Sequence, residues 1–148
     1  GTDIVSCFVL GNIYSSVIYD KKLIIIVCDN GGHMVINRLQ LAKGGREYLC
    51  NLKSSRVQNL QFVDFEVHAK SMGAEAETVT STSELEAAFK RAKKSNKTYV
   101  ISIKTHGYEW LEGTAFWESP TLEVYSTEEN KKAYTEHEEG KRKQRKGV

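Results

Sequence analysis

Leu23 to Cys28 is a run of six apolar, mostly β-branched residues that stops at Asp29-Asn30-Gly31-Gly32, after which an apolar pattern resumes through Gln40. A run this short without alternation predicts a strand buried on both faces of a parallel sheet. It is also far below the roughly 18 residues needed to cross a bilayer. In the resumed pattern Met34, Val35 and Leu39 can share a helical face. A buried strand, a polar glycine turn and a helix in succession are the elements of an α/β layered domain, in which ligands bind beyond the carboxyl ends of the strands.

The rest of the chain extends that reading. Residues 12–19 put Ile13, Val17 and Tyr14 on one face of a short helix before the polar break Asp20-Lys21-Lys22. Residues 40–61 hold Gly44-Gly45 and no sustained period, which predicts a long connection of the kind that often carries function. From Asp64, a helix cap, Phe65, Ala69 and Met72 recur at helical spacing until Gly73 closes the turn. Residues 74–79 read as a strand. Ser83 and Glu86 then offer a capping box for a helix with Leu85, Ala88, Phe89 and Ala92 on one face. Residues 97–105 are a third strand. The expected fold class is α/β, a three-layer domain with a mainly parallel central sheet flanked by helices.

A length of 148 residues with 40% hydrophobic content suits one core of ordinary size. The formal charge of +2 is concentrated at the KRKQRKGV end, so the body is near neutral and no nucleic-acid or membrane partner follows. Cys7, Cys28 and Cys50 form no metal-type cluster and read as buried, reduced thiols of a cytoplasmic protein. The chain starts without Met, almost in the middle of a fold, and reads as a piece of something larger. Residues 106–148 change character: Trp110, Phe116 and Trp117 lie in an aromatic segment expected to pack on the 1–105 domain, followed by a charged peripheral helix and tail.

The turn admits two readings. Asn-Gly-Gly after a strand commonly does no more than supply positive φ angles. Alternatively, the Asn30 side-chain oxygen and the Gly32 carbonyl present neutral ligands to a hard cation such as Mg²⁺, which also takes phosphate oxygens. One carboxylate from elsewhere completes such a set, and Asp3 is the candidate. Of the histidines, His33 beside the turn and His106 at the start of the aromatic segment are the ones placed to reach a ligand. His68 reads as structural, and His137 as solvated in the charged tail.

Asp3, the helix NIYSSV, the strand LIIIVC and Asn30-Gly31-Gly32, with Asn30 27 positions after Asp3, resemble the diphosphate-binding motif of thiamine diphosphate enzymes. VINRLQ, GGREYLCNL, FVDFEVHAKSMGAEAETV and YEWLEGTAFWESPTLEVYS narrow the resemblance to the C-terminal domain of the trihydroxycyclohexane-1,2-dione hydrolase family, the ring-opening enzymes of myo-inositol catabolism. The resemblance implies thiamine diphosphate and Mg²⁺ as cofactors. Asp3, Asn30 and the Gly32 carbonyl would hold the metal, while Gly31, Gly32, His33 and Met34 border the phosphates. It also implies C–C hydrolysis of a cyclic 1,2-diketone, a homodimer or homotetramer, and an activating Glu on a separate N-terminal domain. No catalytic residue is then expected in these 148 residues, which alone should be inactive. Two alternatives stay open. One is another thiamine diphosphate enzyme of the acetolactate synthase or 2-oxoacid decarboxylase type. The other is a non-catalytic domain with a degenerate metal site, since Thr2-Asp3-Ile4-Val5 stands where the family carries Gly-Asp-Gly-Ser.

Overall fold

The computed structural model describes residues 10–54, 59, 61–109 and 124–144. Three parallel strands, β1 (Ile24–Asp29), β2 (Glu75–Val79) and β3 (Tyr99–Lys104), form a sheet of order β1-β3-β2. Ile24 lies opposite Tyr99 and Asp29 opposite Lys104, while Glu75 pairs with Tyr99 on the other side. β3 is therefore central, and Tyr99 to Ser102 are all buried. Parallel neighbours require crossovers, and helices supply them.

Helices α1 (Leu10–Ile18) and α3 (Phe65–Ser71) cover one face of the sheet, where Ile13, Ala69 and Ala74 pack with Val27, Ala76 and Val100. Helix α4 (Thr82–Lys94) covers the other face, placing Ala88 and Ala92 against Val79, Tyr99 and Ile101. The expected three-layer α/β arrangement is the one observed. Arg91 of α4 binds both carboxylate oxygens of Glu77, at 3.0 and 2.6 Å, and the Tyr99 hydroxyl donates to the same group at 2.7 Å. Arg91, with Tyr99 behind it, holds the Glu77 carboxyl below its ordinary range against the opposing effect of burial.

Several local expectations need correction. β1 is not buried on both faces: α4 packs chiefly on β2 and β3 and meets β1 at the Ile24 end, while Ile26 stays 41% exposed and Cys28 is an exposed thiol. Tyr14 points outward and Ser16 takes its place in the α1 interface, bonded to the Ile13 carbonyl and to Thr98 Oγ1, each at 2.7 Å. The cap of α4 is Ser81, not Ser83. Ser81 is the last extended residue after β2 and accepts from the Glu84 N–H at 3.2 Å, while Glu84 reaches back to the Thr80 N–H at 2.7 Å. In helix α2 (Met34–Ala42) the buried pair is Met34 and Asn37, whereas Val35 and Leu39 are exposed.

The charged C-terminal helix α5 (Glu128–Lys143) is capped by Thr127 and docks on the end of α2. Asn130 donates to the carbonyls of Lys43 and Gly44, at 3.3 and 2.9 Å. His137, expected to be solvated, is 7% exposed with Nδ1 3.1 Å from Lys43 Nζ. A pattern of charges cannot show which side of a helix meets another element. Trp110, Phe116 and Trp117 lie outside the described residues.

The Asp64 cap gives a direct test of α3. Its Oδ1 accepts the Val67 N–H at 2.9 Å. Asp64→Ala should cost about 1 kcal/mol, read as a lower urea midpoint, and Asp64→Asn should recover most of it.

Candidate functional site

The parallel sheet places the carboxyl ends of β1 and β3 side by side, and the turn after β1 is built there by its own side chains. Asp29 Oδ1 accepts the Gly31 N–H at 3.0 Å, and Asn30 Oδ1 accepts the Gly32 N–H at 3.3 Å. Such side-chain-to-backbone bonds two residues ahead are what Asp and Asn bring to turns. Gly31 takes φ +76°, a region costly for residues with a Cβ. Asp29 is buried, its carbonyl accepts from the Thr105 N–H at 2.8 Å, and its Oδ2 is paired with Lys104 Nζ.

The long connection after α2 returns to this turn. Gly32 and Asn51 form an isolated antiparallel bridge, flanked by His33 N–H to the Cys50 carbonyl at 2.7 Å and Leu52 N–H to the Gly31 carbonyl at 3.1 Å. In a pair flanked in this way the central residue's own groups point away from its partner. The Gly32 carbonyl therefore faces away from Asn51. A Cβ at Gly32 would sit 2.2 Å from the Cys50 carbonyl oxygen, so the approach needs glycine. From the other side Gly107 lies close enough to the turn that a Cβ would meet the Asn30 carbonyl at 3.0 Å.

Next to the bridge is a polar cluster that the sequence did not single out. Glu47 accepts from Tyr108 at 2.7 Å, from Ser54 at 3.1 Å and from Asn37 at 3.2 Å, while Asn51 donates to the Tyr108 hydroxyl at 2.7 Å. Tyr108 and Asn37 hold the Glu47 carboxyl below its ordinary range, and Glu47 in turn pushes the Tyr108 hydroxyl up. With its folded value depressed, Glu47 ties this loop down above the ordinary carboxylate range. The tie is lost as pH falls through the lowered value. Glu47 sits in an aperiodic polar segment, so only the folded contact to residue 108 reveals it.

Asn30, Gly31 and Gly32 thus come together with Met34, whose side chain is buried under Gly107. His33 is the exposed residue preceding α2, and its side chain makes no capping bond. His106 is exposed with Nδ1 3.6 Å from Glu109 Oε1, and His68 Nε2 is buried on α3. Asp3 lies outside the described residues. Among the described residues no group of three or more His, Cys, Asp or Glu side chains converges. The Asn30 amide oxygen and Gly32 carbonyl are ligands that suit a hard cation that also takes phosphate. The neutralised Asp29 leaves the turn without net negative charge, which also favours a diphosphate. The residues present fit both groups.

Residues 6–103 match the family described as thiamine pyrophosphate enzyme, C-terminal TPP binding domain. The chain is 33% identical over 131 residues to the 3D-(3,5/4)-trihydroxycyclohexane-1,2-dione hydrolase of Listeria monocytogenes serovar 1/2a, covering 88% of this chain and 20% of the relative. It is 32% identical over 122 residues to the protein of the same name from Bacillus subtilis, covering 78% and 18% respectively. The chain therefore spans about a fifth of the length of the curated relatives it matches. No solved structure matches it significantly. No helix among the described residues is long and apolar enough to cross a membrane.

Proposed function

Because this chain belongs to the family of C-terminal TPP-binding domains of thiamine pyrophosphate enzymes, we propose that it is the diphosphate-binding part of a hydrolase that opens the ring of a trihydroxycyclohexane-1,2-dione. The observation that carries the reading is the turn beyond β1, where the Asn30 amide oxygen and the Gly32 carbonyl stand beside a carboxylate already neutralised by Lys104. The names of the relatives supply the substrate class.

In this reading Asn30, the Gly32 carbonyl and Asp3 hold Mg²⁺. Gly31, Gly32, His33 and Met34 border the diphosphate at the start of α2, where the helix dipole favours negative charge. Thiamine diphosphate, when bound, supplies the carbanion chemistry for cleaving the C–C bond between two carbonyls. The residues of this chain bind, orient and neutralise. Residues 1–105 form the diphosphate-binding unit and 106–148 an extension packed on it. The activating Glu comes from another domain, so these 148 residues alone are inactive. The full enzyme is a cytoplasmic homodimer or homotetramer acting in myo-inositol catabolism. Thr2-Asp3-Ile4-Val5 favours a second reading, a domain that keeps the fold with a degenerate metal site.

Asn30→Ala in the full-length protein separates the two. Loss of a metal-facing oxygen should weaken Mg²⁺-dependent thiamine diphosphate binding by at least the roughly 10- to 100-fold typical of outer-shell changes, measured by calorimetry. Equal binding in variant and wild type would favour the degenerate site. Turnover of the cyclic diketone but not of pyruvate separates the hydrolase from acetolactate synthase or decarboxylase chemistry.

A further inference from the structure

Asp29 is the one carboxylate inside the proposed metal turn, one residue before Asn30, and the structure commits it elsewhere. It is 6% exposed, with Oδ1 on the Gly31 N–H and Oδ2 on Lys104 Nζ. The two residues face each other in the β1–β3 register, so the sheet itself sets the pair. The partners are unequal. The Lys104 side chain is 67% exposed and can leave, whereas Asp29 is fixed by burial and by its bond to the turn. Phe62 stands 5.7 Å from the ammonium and favours its position over the carboxylate.

A buried carboxylate stripped of its cation would not remain passive beside two neutral oxygens. It is the ligand a hard divalent cation prefers, and its uncompensated charge would oppose an anionic diphosphate. We propose that Lys104 is a positioning residue of the metal and diphosphate turn, withholding the Asp29 carboxylate from the divalent cation and cancelling its charge so that Asn30 and Gly32 face the cofactor. The proposal rests on the cofactor reading above and adds to it a residue at the end of a different strand. A merely structural pair would hold the turn together, and its loss would weaken every ligand alike. A charge-cancelling pair makes a different demand, because removing the lysine should have opposite effects on metal and cofactor.

The test uses full-length protein and two probes: Mn²⁺ alone, followed by electron paramagnetic resonance, and thiamine diphosphate at saturating Mg²⁺, followed by calorimetry. Lys104→Met should bind Mn²⁺ alone more tightly and the cofactor more weakly, each by about five- to tenfold for one partly screened charge. Lys104→Met with Asp29→Asn should return both towards wild type, and Lys104→Arg should stay near wild type. Lys104→Met that changes neither affinity, or weakens both without recovery in the double variant, overturns the proposal while leaving the cofactor reading intact. Wild-type protein with no saturable, Mg²⁺-dependent cofactor binding removes that reading and this proposal with it.

Discussion

Gly32→Ala should abolish measurable thiamine diphosphate binding by the full-length protein while leaving the three-layer core folded. The added Cβ would lie 2.2 Å from the Cys50 carbonyl oxygen, 3.1 Å from Asn51 Cα and 3.2 Å from the Cys50 carbonyl carbon. All three are backbone atoms, so no side chain can rotate aside. Residues 49–52 must move away from the turn, breaking the bonds His33 N–H to Cys50 and Leu52 N–H to Gly31. At about 1 kcal/mol each, with more for any buried group left unpaired, the loop is destabilised by roughly 2–4 kcal/mol. The Gly32 carbonyl loses its orientation at the same time. Gly31→Ala is the control: nothing lies within 4 Å of its Cβ, so only the left-handed backbone cost of about 1–2 kcal/mol applies. Calorimetry should find no saturable binding in Gly32→Ala and weakened binding in Gly31→Ala. Hydrogen exchange should quicken at His33 and Leu52. Wild-type affinity in Gly32→Ala would mean that the turn is not where the cofactor binds.

What could be read from the sequence follows physical range. The Leu23–Cys28 run, the Phe65-Ala69-Met72 spacing and the Leu85-Ala88-Phe89-Ala92 stripe report short-range periodicity, and each became the expected element. The glycine turn was visible because Asn and Gly mark local backbone geometry. The Asp29–Lys104 pair was not, since it depends on which strand lies next to β1, and 75 residues separate the partners. Glu47 and Tyr108, and His137 against Lys43, were hidden for the same reason: each joins segments that no local pattern relates. Ile26 and Cys28 misled in the opposite direction. An apolar run states what a strand can bury, whereas the extent of α4 determines what this one buries.

Ile101→Ala should produce the largest loss of stability of any single core truncation on this sheet. Ile101 lies at the middle of the central strand, is fully buried, and packs beneath α4 with Ala88, Ala92 and Tyr99. Ala88 and Ala92 bring the α4 backbone close to the strand and have no longer side chain to fill a vacated space. The cavity should persist, and the cost falls in the range of about 2–5 kcal/mol. Ile26→Ala removes the same kind of side chain from β1, but 41% of Ile26 is already in water, so it should cost less. The function should follow the stability. β3 ends in Lys104, and Thr105 bonds the Asp29 carbonyl, so loosening the strand loosens the turn. Cofactor should oppose that loss: a ligand at 100 times its Kd adds about 2.7 kcal/mol to the folded state. Thermal unfolding with and without Mg²⁺ and thiamine diphosphate therefore distinguishes the two variants. Ile101→Ala should regain most of its lost Tm when cofactor is added, because its site is intact whenever the strand is in place. Gly32→Ala should regain none, because its defect is the site itself. Recovery in both would place the binding determinant away from Gly32, and recovery in neither would mean that truncating Ile101 spoils the turn even in the folded protein, through the bonds that tie β3 to Asp29.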